Sequence, residues 1–327
     1  MKYRKFGKLD WNISEVSLGC WAIGGDWGHV SEEAAKEVLK NSFENGVNFF
    51  DTADVYGDGR SEKLVGEFIN SISERIYVAT KAGRRINPHE ASGYYDIDLM
   101  ESFVDRSLKN LKVETIDLLQ MHCPPTEVYS SNSTYQMLDT LVEKGKIQNY
   151  GFSVQTVNEA VECIQRPNTK SIQIIFNMLR LKPSENFFKI AKEKNIAIIV
   201  RVPLASGLLT GKMNSSSTFP ENDHRNYNIK GDAFDVGETF SGVDFHKALE
   251  LIKEYKIILP NGITLSQLAI KWILMHEEVS VVIPGAKNKE QLIQNISASA
   301  VSSIDNLMGK IQDIYNKHLK DDIHDRW

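Results

Sequence analysis

The sequence lacks any apolar run approaching the roughly 20 residues that a bilayer-spanning helix needs. It lacks basic surplus too. The formal net charge is −5, so no positive field points to nucleic acid. Cysteine is scarce: Cys20, Cys123 and Cys163 are odd in number and far apart. That spacing gives neither a disulfide framework nor a metal-spaced pair, and a reducing, cytoplasmic setting is expected. The basic start Met1 to Lys8 has no apolar segment behind it, so no signal peptide is expected. No Pro/Gly/Ser-rich linker divides the 327 residues, Asn214 to Thr218 being only a short polar run. A single domain over 1–327 is the simplest reading.

What is present is alternation. Tyr3 to Phe6, a turn at Gly7 and Lys8, and Leu9 to Ile13 read as a short hairpin. Eight strand–helix units follow. The strands are expected at Val16–Leu18, Val47–Phe50, Ile76–Thr80, Thr115–Met121, Tyr150–Ser153, Ser171–Phe176, Ala197–Val202 and Val279–Ile283. Ser31 suits an N-cap for a helix at Glu32–Asn45, which Gly46 would end. Further helices are expected at Ser61–Ile69, Leu99–Leu111, Tyr135–Glu143, Val157–Gln165, Glu185–Lys194 and Glu290–Ser297. Phe245–Tyr255, Leu265–His276 and a terminal Ile304–Leu319 read as extra helices. Repeated strand–helix units predict a parallel sheet, and eight of them predict a closed (β/α)₈ TIM barrel. An open dinucleotide-binding sheet should carry Gly-x-Gly-x-x-Gly after its first strand. Gly19-Cys20-Trp21-Ala22-Ile23-Gly24-Gly25 does not fit that spacing. The polar stretch from Ser206 to Val243 is too long for a plain connector and reads as a functional loop over the barrel mouth.

In such a barrel, polar groups at the C-terminal ends of strands face the active site. The second strand ends at Asp51, the third at Lys81 and the fourth at His122, while Tyr56 follows on the loop after Asp51. Singly, Asp51 could cap a turn, Tyr56 could pack, Lys81 could be a surface lysine and His122 a turn residue before Pro124. Together they bring a carboxylate, an ammonium, an imidazole and a phenol to one rim. A phenol with a pKa of about 10 is a poor acid at neutral pH, and a neighbouring ammonium should lower that pKa. Asp51 would hold Lys81 and keep it charged. His122 could donate to a substrate oxygen. The set suits protonating a carbonyl as it becomes an alkoxide, and since none of these groups supplies a hydride, a bound reductant is required.

At this point the sequence resembles an aldo-keto reductase over nearly its whole length. The motifs are Asp51-Thr52-Ala53-Asp54-Val55-Tyr56-Gly57, Thr80-Lys81, His122-Cys123-Pro124 and Gly151-Phe152-Ser153. Pro203-Leu204 through Lys212, Ile283-Pro284-Gly285-Ala286, and Gln291 through Asn295 continue the match. The resemblance implies Tyr56 as general acid/base, completed by Asp51, Lys81 and His122. It also implies NADP(H) across the barrel mouth and a small carbonyl or alcohol substrate. Gly19, Cys20, Trp21 and Asp51 would meet the cofactor from the first strands, and Ser153 and Gln173 would hold its carboxamide. Arg201, Pro203, Leu204, Ser206, Leu208 and Lys212 would follow it past the seventh strand. Gly285, Lys287, Gln291 and Asn295 would take its adenosine end, with Lys287 at the 2′-phosphate.

Two departures stand out. Many relatives have a tyrosine that stacks on the nicotinamide where this chain has Arg201, as in one bacterial subgroup. Many have an asparagine directly after the serine, where this chain reads Ser153-Val154-Gln155. Trp21, Trp27, Tyr94 and Tyr95 are candidates for the mouth. Two other readings compete. One is a Schiff-base aldolase with Lys81 as nucleophile. The other is an NADP(H)-binding sensor resembling channel-associated β subunits, which usually carry an extra N-terminal segment, whereas this sequence begins about at its first hairpin.

Overall fold

The computed structural model describes residues 1–25 and 27–327. Strands β1 (Tyr3–Lys5) and β2 (Asn12–Ser14) pair antiparallel, with Gly7 at a positive φ in the turn between them. Eight parallel strands follow: β3 (Leu18–Gly19), β4 (Phe49–Asp51), β5 (Tyr77–Ala82), β6 (Leu118–His122), β7 (Tyr150–Ser153), β8 (Thr169–Ile175), β9 (Ala197–Arg201) and β10 (Val279–Val282). Each pairs with its neighbours in chain order. The ring closes between the first and last of them. Parallel bridges join Val16 to Val282 and Gly19 to Gly285, and the Ser17 N–H donates to the Val282 carbonyl at 2.9 Å. The expected (β/α)₈ barrel with an N-terminal hairpin is what forms.

The period of two along each strand sorts side chains. Phe49, Ala79, Leu118, Ala197, Ile199 and Val281 point inward and make a separate inner core. Phe6 and Ile13 of the hairpin join that core, so the hairpin stoppers the barrel at the N-terminal ends of its strands. The alternate residues, such as Phe50, Val78, Leu119, Ile198 and Val282, pack outward into the larger core beneath the helices. The helix Glu32–Glu44 starts as expected, with the Ser31 hydroxyl accepting from the Ala34 N–H.

Boundaries move by one to three residues. β5 runs to Ala82 and β6 to His122, past the expected Thr80 and Met121. The reason is chemical. Lys81 and His122 look like strand-ending polar residues, yet each is buried and stays in the ladder. The stretch 206–243 is not plain loop. It holds short 3₁₀ turns at Val236–Glu238 and Phe240–Gly242 and a helical turn at His224–Tyr227. Among the described residues, no helix is long and apolar enough to cross a membrane.

Candidate active site

Parallel register places the strand ends on one rim. Asp51 on β4 lies one strand from Lys81 on β5, and His122 on β6 pairs in register with Ser153 on β7. The Lys81 side chain is fully buried. Its ammonium makes a short ion pair with the Asp51 carboxylate, donates to the Thr52 carbonyl at 2.8 Å and to the Tyr56 hydroxyl at 3.3 Å. The other Asp51 oxygen accepts from Gln120 Nε2 at 2.9 Å and from Gln173 Nε2 at 2.7 Å. Asp51 is thus saturated, as a buried carboxylate must be. The four expected residues do come together.

The electrostatics differ from expectation in one respect. Burial raises the Tyr56 phenol above its ordinary pKa, and the Lys81 charge offsets this only in part. Burial works against the charge on Lys81, but Asp51 and Tyr56 outweigh it and the ammonium is held. That charge and burial leave no free amine, which argues against Lys81 as a Schiff-base nucleophile. Burial, with Arg84, Lys81 and Arg201 nearby, pushes the His122 pKa well below its usual value. The imidazole is therefore neutral at physiological pH. Its ring stands edge-on to Tyr56 at 6.0 Å, and its Nδ1 has no hydrogen-bond partner among the described residues.

Above the rim runs a groove of about 690 Å³. Asp51, Tyr56, His122, Ser153 and Gln173 line one end, and Lys287, Gln291 and Asn295 the other. Gly19, Cys20, Trp21, Arg201, Pro203 and Leu204 line it between them, as do Ser206, Lys212 and Gly285. Lys81 lies behind Tyr56 rather than in the wall, and the Leu208 side chain turns into the core. Trp21 and Trp27 line the groove as expected; Tyr94 and Tyr95 do not. Tyr94 is buried against Gly83, whose missing Cβ leaves its ring room, and Tyr95 faces solvent. Trp21 stacks on Tyr56 at 5.9 Å and on His224 at 4.8 Å.

At the far end, the helix Lys289–Ile296 is capped by Asn288, whose side chain accepts from the Gln291 N–H. Lys287 precedes it. Its ammonium donates to the Trp27 carbonyl, and burial and Arg225 lower its pKa. Asn295 ties the helix back to the Gly285 carbonyl at 3.1 Å.

Gln120, Arg84, Gln155 and Glu238 are among the polar residues that sequence reading missed here. Gln120 follows from the inward alternation 118, 120, 122 on β6 and could have been found. Arg84, Gln155 and Glu238 stand on connectors, where no periodicity marks them. Arg84 and Glu238 form a short ion pair, Gln155 Nε2 donates to Glu238 at 2.6 Å, and Arg201 lies 3.6 Å from the same carboxylate. Burial acts against that carboxylate, but Arg84 and Arg201 hold its pKa down to about 2.

The donor set suits an extended dinucleotide. The long groove runs from a polar rim to a lysine beside a helix N-terminus. The buried His122 Nδ1 and Arg201 Nε, both without partners among the described residues, leave hydrogen-bonding capacity at the rim.

Comparison with known proteins decides the lineage. A profile of the Aldo/keto reductase family matches residues 15–316. The chain belongs to the aldo/keto reductase family. An uncharacterized oxidoreductase of Bacillus subtilis is 30% identical over 97% of this chain and 99% of its own length. An aldo-keto reductase of Schizosaccharomyces pombe, designated NADP(+), is 30% identical over 92% of this chain and 88% of its own. The glycerol dehydrogenase structure from Gluconobacter oxydans superposes with a TM-score of 0.78 at 26% identity, covering 100% of this chain and 98% of that one.

Proposed function

We propose that this aldo-keto reductase interconverts small aldehydes or ketones with their alcohols, using NADP(H), with Tyr56 as general acid/base. One observation carries the reading: a buried Lys81 ammonium, fixed by Asp51, donates to the Tyr56 hydroxyl at the floor of the groove. When bound, the nicotinamide supplies or accepts the hydride. The protein's own residues do the rest. Tyr56 gives a proton to the oxygen that becomes an alkoxide, and takes it back in the reverse direction. Lys81 stabilises the phenolate left behind, against the burial that opposes it. His122, being neutral, can orient the substrate oxygen without placing a second positive charge beside Lys81. Gln120 and Gln173 hold the Asp51 carboxylate in place against Lys81. Ser153, Gln173 and Arg201 would hold the nicotinamide end, and Lys287, Gln291 and Asn295 the adenosine end. The NADP(+) designation of the Schizosaccharomyces pombe relative supports this cofactor, and the glycerol dehydrogenase likeness fits a small polar alcohol as product.

The test is Tyr56→Phe. It should lower the single-turnover rate of carbonyl reduction by about 10² to 10⁴, the usual worth of a positioned acid, while cofactor affinity stays near that of the parent. Stopped-flow rates within a few-fold of the parent would remove Tyr56 from the mechanism.

A further inference from the structure

Three guanidiniums gather near the groove's rim, of which Arg201 lines the groove itself. Arg201 ends β9, Arg84 follows β5 and Arg180 follows β8. All three are mostly or fully buried. Burial above all, and then the Arg201 charge, lower the Arg180 pKa to about 9. Among the described residues, Glu238 is the carboxylate that meets both Arg84 and Arg201. It lines the groove.

Its position is not left to chance. Glu238 closes the 3₁₀ turn Val236–Glu238, which Asp235 caps by accepting from the Gly237 N–H at 2.7 Å. The Trp327 indole N–H donates to the same Asp235 oxygen at 3.1 Å. The indole lies so close to Gly237 and Gly242 that a Cβ there would come within 3.0 and 2.2 Å of the ring. The Arg180 guanidinium covers the indole at 4.2 Å. The Ser206 hydroxyl adds a further clamp, donating to the Glu238 carbonyl and accepting from the Phe240 N–H. A turn held from both sides thus presents one carboxylate to Arg201.

We infer that Glu238 sets the charge beside the nicotinamide, and with it the relative affinity for the oxidised and reduced cofactor. The inference rests on the proposed placement of the nicotinamide against Arg201. The oxidised ring carries a positive charge and the reduced ring carries none, so only the oxidised form feels the net local charge. Arg201 alone would disfavour the oxidised form, and Glu238 offsets it. At an effective dielectric near 20, removing one unit charge from the ring's surroundings would correspond to a factor of roughly 10 to 30 in affinity.

The experiment is separate fluorescence titration of NADP⁺ and NADPH with the parent, Glu238→Gln and Glu238→Asp. The ratio of the two dissociation constants, oxidised over reduced, should rise about 10- to 30-fold in the glutamine variant and return toward the parent in the aspartate variant. A merely structural role would weaken both forms together and leave the ratio alone, which would overturn the inference. If neither affinity moves in Glu238→Gln the inference also falls, and Arg201→Met then tells whether the underlying placement survives. A nicotinamide resting on Arg201 would still lose affinity in that variant when reduced, because the neutral ring gains nothing from removal of the charge.

Discussion

Asp54 shows how much one side chain can carry outside the reaction itself. It lies two residues before Tyr56, is fully buried, and neither carboxylate oxygen has a partner among the described residues. Burial, with the Glu62 carboxylate nearby, lifts its pKa from 3.8 to about 7, although Arg85 and Arg106 pull the other way. The sign follows from linkage. The folded protein holds this proton more tightly than the unfolded chain does. The stability it contributes is full below about pH 4 and is lost as the pH rises through about 7. Asp54→Asn keeps the shape and cannot ionise. It should exceed the parent in stability at pH 8 by about 2 to 4 kcal/mol, with the gap closing near pH 4. Urea titrations at both pH values check this, and a gap that does not change with pH would refute it. The sequence shows Asp54 inside a motif, yet its proton affinity depends on burial and on the charges of Glu62, Arg85 and Arg106, which tertiary folding brings in from elsewhere.

At the scale of elements, the strand ends were legible and the connectors were not. Asp51, Lys81 and His122 stand where apolar runs stop, and parallel register then forces them onto one rim. Alternation along β6 predicts Gln120 as well. Glu238 and Arg84 carry no such mark, because a 3₁₀ turn in a long connector has no period for a reader to find. The loop after β10 lies between these cases. Lys287 was visible as a cation just ahead of a helix start, but its bond to the Trp27 carbonyl was not. Its ammonium has three donors, so a 2′-phosphate could be met beside that carbonyl. Lys287→Ala should therefore weaken NADPH by about 1 to 3 kcal/mol, the range of a charge-assisted hydrogen bond, and leave NADH nearly untouched. Isothermal titration with both cofactors decides it; equal losses for the two would exclude Lys287 as the discriminator.

At the scale of the molecule, the two ends of the barrel chain meet at one seam. Arg4 on β1 donates to the carbonyls of Leu274 at 2.6 Å, His276 at 3.2 Å and Val279 at 2.8 Å, and pairs with Glu15 at 2.9 Å. Three helix-end and strand-start carbonyls lose their donor if that guanidinium goes. Arg4→Ala should cost about 2 to 4 kcal/mol of unfolding free energy, read from the urea midpoint. A change below about 0.5 kcal/mol would place the seam's strength elsewhere. The barrel itself was predictable from counting strand–helix units, but this clasp was not, since nothing in Lys2-Tyr3-Arg4-Lys5 names a partner some 270 residues away.

That same seam sets a timetable. A ribosome makes β3 early and β10 late, so the bridges from Val16 to Val282 and from Gly19 to Gly285 have no partner until some 280 residues have been polymerised. Until then the nascent sheet has an open edge at β3, and open edges recruit foreign strands. The molecule is thus most vulnerable to aggregation before its last strand arrives, and a stall late in translation would be more hazardous than one early on.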